Sequence, residues 1–282
     1  MKNTGFANTT KRCDHINEVS KFKYDNPENG CSPLVAEQVI IHKSTKNNMM
    51  KKISMVLVLL SLIGWSMFSQ VNLQDGLVGY YQLNGNVVDS SGNGNNGTFV
   101  SATSTTDRFG ISKGAYYFNG SGNYLQLPTI ITNSFSVVFW AKTSMVASNG
   151  SLWYSGSGLI DGEMWGLKLD WGISLIDSGK VAFGIGNYSG DVTIKSGAYI
   201  NDNHWHMVVG TRDDISGTYK IFINGELDTT GSCHTYSLTS PSFIGVGNSP
   251  NNIGRNIGWY NGSIDDIRLY NRVQDSAEIK AL

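Results

Sequence analysis

Cysteine, proline and charge are all scarce in this sequence. Its 282 residues include 3 Cys, 5 Pro and 15% charged side chains. Two of the cysteines, Cys13 and Cys31, lie in a polar leading stretch unlike the rest, so no disulfide framework can be read. Cys233 is expected to be a small buried side chain rather than a reactive thiol. Neither sign of charge dominates: the formal net charge is -1, and from Val71 onward 12 Lys plus Arg face 17 Asp plus Glu. Such a surface has no electrostatic hold on a phosphate backbone, which excludes nucleic acid as a partner. The sequence has no Gly-x-Ser-x-Gly elbow, phosphate loop or Cys–His pairing. Glutamate is also rare, with only Glu163, Glu226 and Glu278 beyond residue 70. No apolar run reaches the ~20 residues that span a bilayer as a helix; the one nearest to it extends from Ile53 to about Phe68.

That run follows Lys51 and Lys52 and ends in small and polar residues at Ser69 and Gln70, the layout of a secretory signal. Cleavage is expected near Ser69 or Gln70, and with no cysteine after the run a lipid anchor is not supported. The organisation read from this is a non-native or disordered extension at residues 1–48, a signal peptide at 49–70 and one folded domain at 71–282. A signal belongs at an N-terminus, so the leading residues read as a start codon assigned too far upstream. A signal anchor with a cytoplasmic tail is the alternative. In either case the folded region is expected outside the cytoplasm, secreted or at the cell surface, with no membrane span in the mature chain.

What the sequence has in quantity is glycine, at 33 residues, and aromatics, at 11%. With Asn, Ser and Thr these suit short strands joined by tight turns. In SFSVVFWAK, Phe135, Val137, Phe139 and Ala141 alternate with Ser136, Val138, Trp140 and Lys142, the period of two that predicts a strand. WHMVVGTR at Trp205–Arg212 and YKIFING at Tyr219–Gly225 repeat it. Asn224-Gly225 predicts a hairpin turn, since both central positions of a type I′ turn need positive φ. GLVGYYQL, GAYYFNG, NYLQLP, GLKLDW, KVAFGIG, DVTIKS, PSFIGVG and IDDIRLYNR are further strands. Only Asp275–Leu282 reads as helix, with Asp275 and Glu278 at capping-box spacing and Ala277, Ile279 and Leu282 able to pack on the sheets. Many strands without amphipathic helices between them exclude a parallel α/β fold and leave an antiparallel sandwich or barrel.

Four segments then resemble, in order, the laminin-G-like jelly-roll family of the concanavalin A-like lectin and glucanase superfamily. They are GLVGYYQLNGNVVDSSGNGNNGT at Gly76–Thr98, AYYFNGSGNYLQLP at Ala115–Pro128, HWHMVVGTRDDISGTYKIFINGEL at His204–Leu227 and WYNGSIDDIRLYNRVQDSAEI at Trp259–Ile279. The resemblance implies an all-β antiparallel jelly-roll sandwich with a short C-terminal helix. It leaves the stretch Ser151–Tyr199 uncovered; many similar proteins continue into a cell-surface sorting domain after the last helix, where this sequence ends at Leu282, so surface attachment through such a domain is not an expectation.

Candidate chemistry follows from residue types. The loop from Asp89 to Gly97 concentrates oxygen donors on a glycine-rich turn, as a calcium ion requires. Asp89 and Asn93 are its candidate ligands. Asp265 is the second carboxylate, because alternation puts it with Ile267 and Leu269 and so points it inward. The alternative is that Asp89 and Asn93 make Asx-turns and Asp265 accepts backbone N–H bonds. Similar domains often bind calcium, and a structural ion is expected. The superfamily's glucanases use paired carboxylates ~5 Å apart. That pattern is missing, and Asp161 with Glu163 is read as part of a solvated loop. No cysteine or histidine follows His204 and His206 at zinc spacing except the isolated His234, so they read as polar or edge histidines. Aromatic faces for a glycan are sought among Trp153, Tyr154, Trp165, Trp171, Tyr188, Trp259 and Tyr260. Of these Trp153, Tyr154, Trp165, Trp171, Trp259 and Tyr260 are the candidate ligand-binding residues. One member of each adjacent pair, Trp153–Tyr154 and Trp259–Tyr260, should point outward. The expected protein is a monomeric, non-catalytic recognition module for glycan, stabilised by calcium. The alternatives are an adhesion or structural domain binding an extracellular protein surface, and a polysaccharide hydrolase or lyase with an atypical site.

Overall fold

In most of the segments beyond Val71 where apolar side chains alternate with small or polar ones, the chain is extended. The computed structural model describes residues 44–55, 71–239, 241–253 and 257–282. The chain divides into two units, Met1–Ser69 and Gln70–Leu282. In the first, residues 44–55 are helical and exposed. The expected extension up to residue 43, and the expected signal peptide from residue 56 to 70, lie outside the described residues. No described helix is long and apolar enough to cross a membrane.

The second unit begins with β1 (Leu77–Tyr81), β2 (Thr98–Ser101), β3 (Thr103–Thr105), β4 (Ala115–Asn119) and β5 (Tyr124–Leu127). Next come β6 (Phe135–Lys142), β7 (Ser157–Asp161), β8 (Trp171–Ile176), β9 (Lys180–Ile185) and β10 (Val192–Tyr199). The last five are β11 (Trp205–Asp213), β12 (Thr218–Ile223), β13 (Glu226–Ser232), β14 (Ile244–Val246) and β15 (Asn261–Tyr270). They form two antiparallel sheets. The first runs β13-β12-β11-β6-β15-β4-β3, with β1 also on β15, and the second runs β10-β9-β8-β7-β14-β5-β2. The fold is the expected all-β jelly-roll sandwich. The stretch at 151–199 supplies four successive neighbours of the second sheet, β7 to β10. GLKLDW does not form the expected strand: Gly166 has φ +91° and the backbone turns there, so β8 starts only at Trp171.

Phe135, Val137, Phe139 and Ala141 of β6 meet Trp171, Ile173, Leu175 and Phe183 of the second sheet in the main core. Each large apolar side chain buried this way contributes about 1.5–3 kcal/mol. The other face of β6 and β11 is apolar too: Val138, Met207, Val209, Leu77, Phe222 and Tyr270 form a second cluster closed by Ile279. Ile279 belongs to the C-terminal helix Ser276–Lys280, whose first turn is held by the Asp275–Glu278 capping box. Leu282 packs at its edge, whereas Ala277 is exposed. Thus the outer face of the first sheet is part covered, part open.

The outer face of the second sheet is filled from within. Trp153, in a 3-10 turn at Trp153–Ser155, is fully buried with Ile176 and Ala182. Its ring lies where a Cβ on Gly184 would stand, and it borders Gly172 beside Asp161.

One irregularity matters most for function. The pairing of β15 with β6 shifts register between Asp265 and Arg268, where Asp266 takes φ +50°. This bulge inserts a residue, so both Ile264 and Ile267 reach the main core. Asp265 stands opposite Trp140 and belongs with it on the outer face. It therefore does not share the face of Ile267 and Leu269 that strict alternation predicts.

Candidate ligand-binding site

The bulge creates a need for a cation, because two adjacent carboxylates, Asp265 and Asp266, are 2% and 6% exposed. The loop between β3 and β4 supplies it. Asp107 turns that loop by accepting the N–H groups of Phe109 (2.9 Å) and Ile111 (2.7 Å), and Gly114 leaves the space that the Asp107 carboxylate occupies. Arg108 is thereby aimed at the sheet. Its guanidinium reaches Asp265 at 2.8 Å and Asp266 at 2.5 Å. The same guanidinium is sandwiched between the rings of Phe109, 4.4 Å to centroid, and Trp140, 4.8 Å. Arg268 pairs with Asp266 at 3.3 Å and lies over the Tyr80 ring at 4.6 Å. Burial pushes the Asp265 carboxyl up to about 7, with Arg108 pulling the other way.

Above these ion pairs lies a groove of about 380 Å³. Tyr80, Gln82 and Asn84 from β1 and its following turn border it, with Arg108, Phe109 and Lys113 opposite. Gln82 and Asn84 are exposed, and Phe109 shows 72% of its surface to solvent. The groove therefore combines an open aromatic face with amide, carboxylate and guanidinium groups in fixed positions, the mixture that holds a polar ligand with apolar patches. Arg108 and Phe109 have no periodicity to mark them in the sequence. The only signal was the Asp265-Asp266 pair, which a buried position obliges to find a cation.

The residues expected to hold calcium are not brought together as an ion site. Asp89 Oδ1 accepts the N–H groups of Tyr80 and Ser91, and its Oδ2 accepts from the Ser91 hydroxyl and the Asn95 N–H. Hydrogen bonds from Ser91, Tyr80 and Asn95 outweigh desolvation, the largest single influence, and lower its pKa. Asn93 donates its amide to the Leu77 carbonyl, and Asp265 is taken by Arg108. Among the described residues no group of three or more His, Cys, Asp or Glu is placed to hold a metal ion. The donor set does not fit calcium, since both Asp89 oxygens already accept two protein donors each and Asp265 Oδ2 is held by Arg108. Chelating calcium should accordingly leave the melting temperature unchanged in a thermal scan, whereas a fall of several degrees would show that these oxygens do exchange their donors for an ion.

Three of the candidate ligand-binding aromatics are core instead. Trp153, Trp171 and Tyr260 are at most 1% exposed. Trp171 packs on Phe135 and Phe183, and Tyr260 on Phe118, so none can offer a ring face to a ligand. Their neighbours differ: Tyr154 is exposed, and Trp259 is half-buried against Tyr124. Trp165 is 80% exposed on the loop before β8. That loop is not solvated throughout, as Asp161, Glu163 and Asp170 are all buried. Asp161 accepts the Glu163 N–H and Asp170 the Met164 N–H. Burial raises the Asp161 carboxyl well above the usual range and Asp170 to about 6. These hydrogen bonds fold the loop between β7 and β8 back on itself, so its carboxylates are turned inward. His206 bonds Asp202 and Asn224, while His234 bonds the Gly186 carbonyl, so the histidines serve separate places. Cys233 is free and half-buried.

Residues 118–280 match the Laminin_G_3 family profile, described as the concanavalin A-like lectin/glucanases superfamily. No curated protein matches the chain. Among solved structures, the binding domain of Paraclostridial Mosquitocidal Protein 1 is 18% identical with a TM-score of 0.56, covering 74% of this chain and 52% of that one. Domain 4 of AbnA, a GH43 extracellular arabinanase from Geobacillus stearothermophilus solved with arabinotriose, is 19% identical with a TM-score of 0.55, covering 73% of this chain and 97% of that one. The binding domain of botulinum neurotoxin DC in complex with SialylT is 19% identical with a TM-score of 0.56, covering 74% of this chain and 51% of that one. The chain thus spans about half the length of the toxin domains it matches. At these identities the likeness is one of fold.

Proposed function

We propose that this chain, which belongs to the concanavalin A-like lectin/glucanases superfamily through its laminin G domain, is a non-catalytic carbohydrate-binding module working outside the cell. The observation that carries the reading is the groove in which exposed Phe109 and half-buried Tyr80 flank Gln82, Asn84 and the Arg108–Asp265 pair. A sugar ring presents an apolar C–H face and a rim of hydroxyls, and this groove offers an aromatic surface beside donors and acceptors for both. Two of the similar folds described above were solved with arabinotriose or SialylT, which supports a saccharide as the ligand class. Catalysis is disfavoured because the three carboxylates that line the groove are engaged, Asp265 and Asp266 by arginine and Asp107 by the N–H groups of Phe109 and Ile111. Export rests on the segment from Lys51 to Gln70, which has the composition of a signal peptide.

The test is a calorimetric screen of soluble polysaccharides against the protein and its Phe109→Ala variant. Because Phe109 is exposed, the variant should fold normally and lose about tenfold or more in affinity, the loss typical of an aromatic anchor. Equal affinity for both proteins would move the site elsewhere. Release of reducing ends from the bound polysaccharide would overturn the non-catalytic reading.

A further inference from the structure

The same outer face holds a second depression of about 420 Å³. Trp140, Trp205 and Met207 line it from the sheet, Asn224 from the β12–β13 turn, Lys280 from the C-terminal helix and Leu282 from just past it. Trp140 and Met207 are direct cross-strand partners, and Trp205 lies two residues from Met207 on the same side of β11. The floor is therefore a continuous apolar surface that the short helix stops short of covering. Around it stand an amide, Asn224, and an ammonium, Lys280. Lys280 pairs at 2.9 Å with Glu226, but both side chains are more than half exposed, so this pair exchanges readily with a ligand.

The two depressions share a wall. Trp140 lines the second, and its ring carries the Arg108 guanidinium that borders the first. Phe109, Arg108 and Trp140 form one stack leading from one cavity to the other. Along the strand order β1-β15-β6-β11-β12, the groups on the outer face succeed one another as half-buried Tyr80, half-buried Arg268 with buried Asp265, half-buried Trp140 and Trp205, then exposed Asn224 in the turn after β12. Four inter-strand spacings separate the ends, or about 19 Å. That is too long for a mono- or disaccharide and suits several linked sugars lying across the strands.

We infer that the groove and the Trp140–Trp205 depression are one extended site, and that its ligand is an oligosaccharide segment bound along its length rather than a terminal sugar. The inference rests on the carbohydrate reading of the Phe109 groove and deepens it by naming the form of the ligand. The polar groups at the far end, Asn224 and Lys280, then meet hydroxyls of distal units, and the Trp205 ring carries a sugar face that a short ligand never reaches.

Disaccharides and hexasaccharides of the arabino, xylo and cello series serve as probes, titrated calorimetrically into the protein and into its Phe109→Ala and Trp205→Ala variants. In the series that binds, the hexasaccharide should bind about tenfold more tightly than the disaccharide. Trp205→Ala should bring that ratio close to one, while Phe109→Ala weakens both ligands and preserves the ratio. As a check that needs no variant, the indole N–H signals of Trp140 and Trp205 are followed by NMR. The hexasaccharide should shift both, and the disaccharide should leave Trp205 in place. Equal affinity for the two lengths, or a Trp205 signal that ignores the hexasaccharide, overturns the extended site while leaving the groove intact. No binding in any series sinks the carbohydrate reading itself.

Discussion

Replacing Arg108 with methionine should cost about 3–5 kcal/mol of folding stability, the penalty for removing one partner of a buried ion pair. Arg108 is held on four sides, by Asp265, Asp266, Phe109 and Trp140. Its loss leaves the Asp265 side chain, 3% exposed, without its cation. The penalty should depend on pH. A carboxyl whose folded pKa is raised binds a proton that the unfolded chain has already released, so its folded form is favoured at lower pH and disfavoured as pH rises to the folded value. For Asp265 that window runs from about 4, the unfolded value, up to about 7. Urea titrations should therefore find Arg108→Met most damaging at pH 8 and less so at pH 5. The double variant with Asp265→Asn should recover part of the loss at pH 8, and a deficit that stays constant across this range would mean that the pair contributes packing alone.

The unaltered protein should show the same slope more gently. Asp170, like Asp265, is raised by burial, and so is Asp161, so stability should fall as pH climbs from about 4 to about 7. Below about 4 the sign reverses. Asp177, Asp202, Asp213 and Glu278 are held below their usual values chiefly by hydrogen bonds from Lys195, His206, Ser216 and Arg272, and protonation removes what they contribute.

A second large effect is expected from adding a single methyl group. Gly184→Ala places a Cβ inside the Trp153 indole, and the ring has nowhere to go because it is fully buried against Ile176 and Ala182. The cost of overpacking is about 1–3 kcal/mol, and more where the neighbour cannot yield. Chemical denaturation of Gly184→Ala, Trp153→Ala and the double variant would measure it. The glycine substitution should be severe alone and mild once the indole is gone, giving a coupling of at least about 1 kcal/mol. Independent, additive costs would contradict the fit of ring to glycine.

Much of this architecture was legible in residue order. Alternation in Phe135–Lys142 located a central strand, Asn224-Gly225 marked the β12–β13 hairpin with positive φ at both residues, and Asp275 with Glu278 announced the capping box. These are local signals, carried by neighbours in sequence. The site depended on something else. A positive φ at Asp266 reverses the facing of everything before it in β15, and no side-chain pattern betrays a bulge of one residue. Arg108 acts on carboxylates more than 150 positions away. Adjacent aromatics such as Trp153 and Tyr154 look interchangeable on paper, and the choice between them was made by a glycine, Gly184, in a different strand. The Asp89 loop reads as a turn, but N–H groups of the loop and of Tyr80 in β1 occupy the carboxylate expected to hold an ion.

The antiparallel pairing of β1 with β15, which sets Leu77 opposite Tyr270, has a mechanical consequence. The chain enters and leaves the sandwich at the same end of one strand pair. Tension applied through both ends would peel these strands apart one rung at a time, instead of shearing every rung together. A module built this way gives way at low force when it is stretched between two anchors, and keeps its shape when it hangs from a single tether.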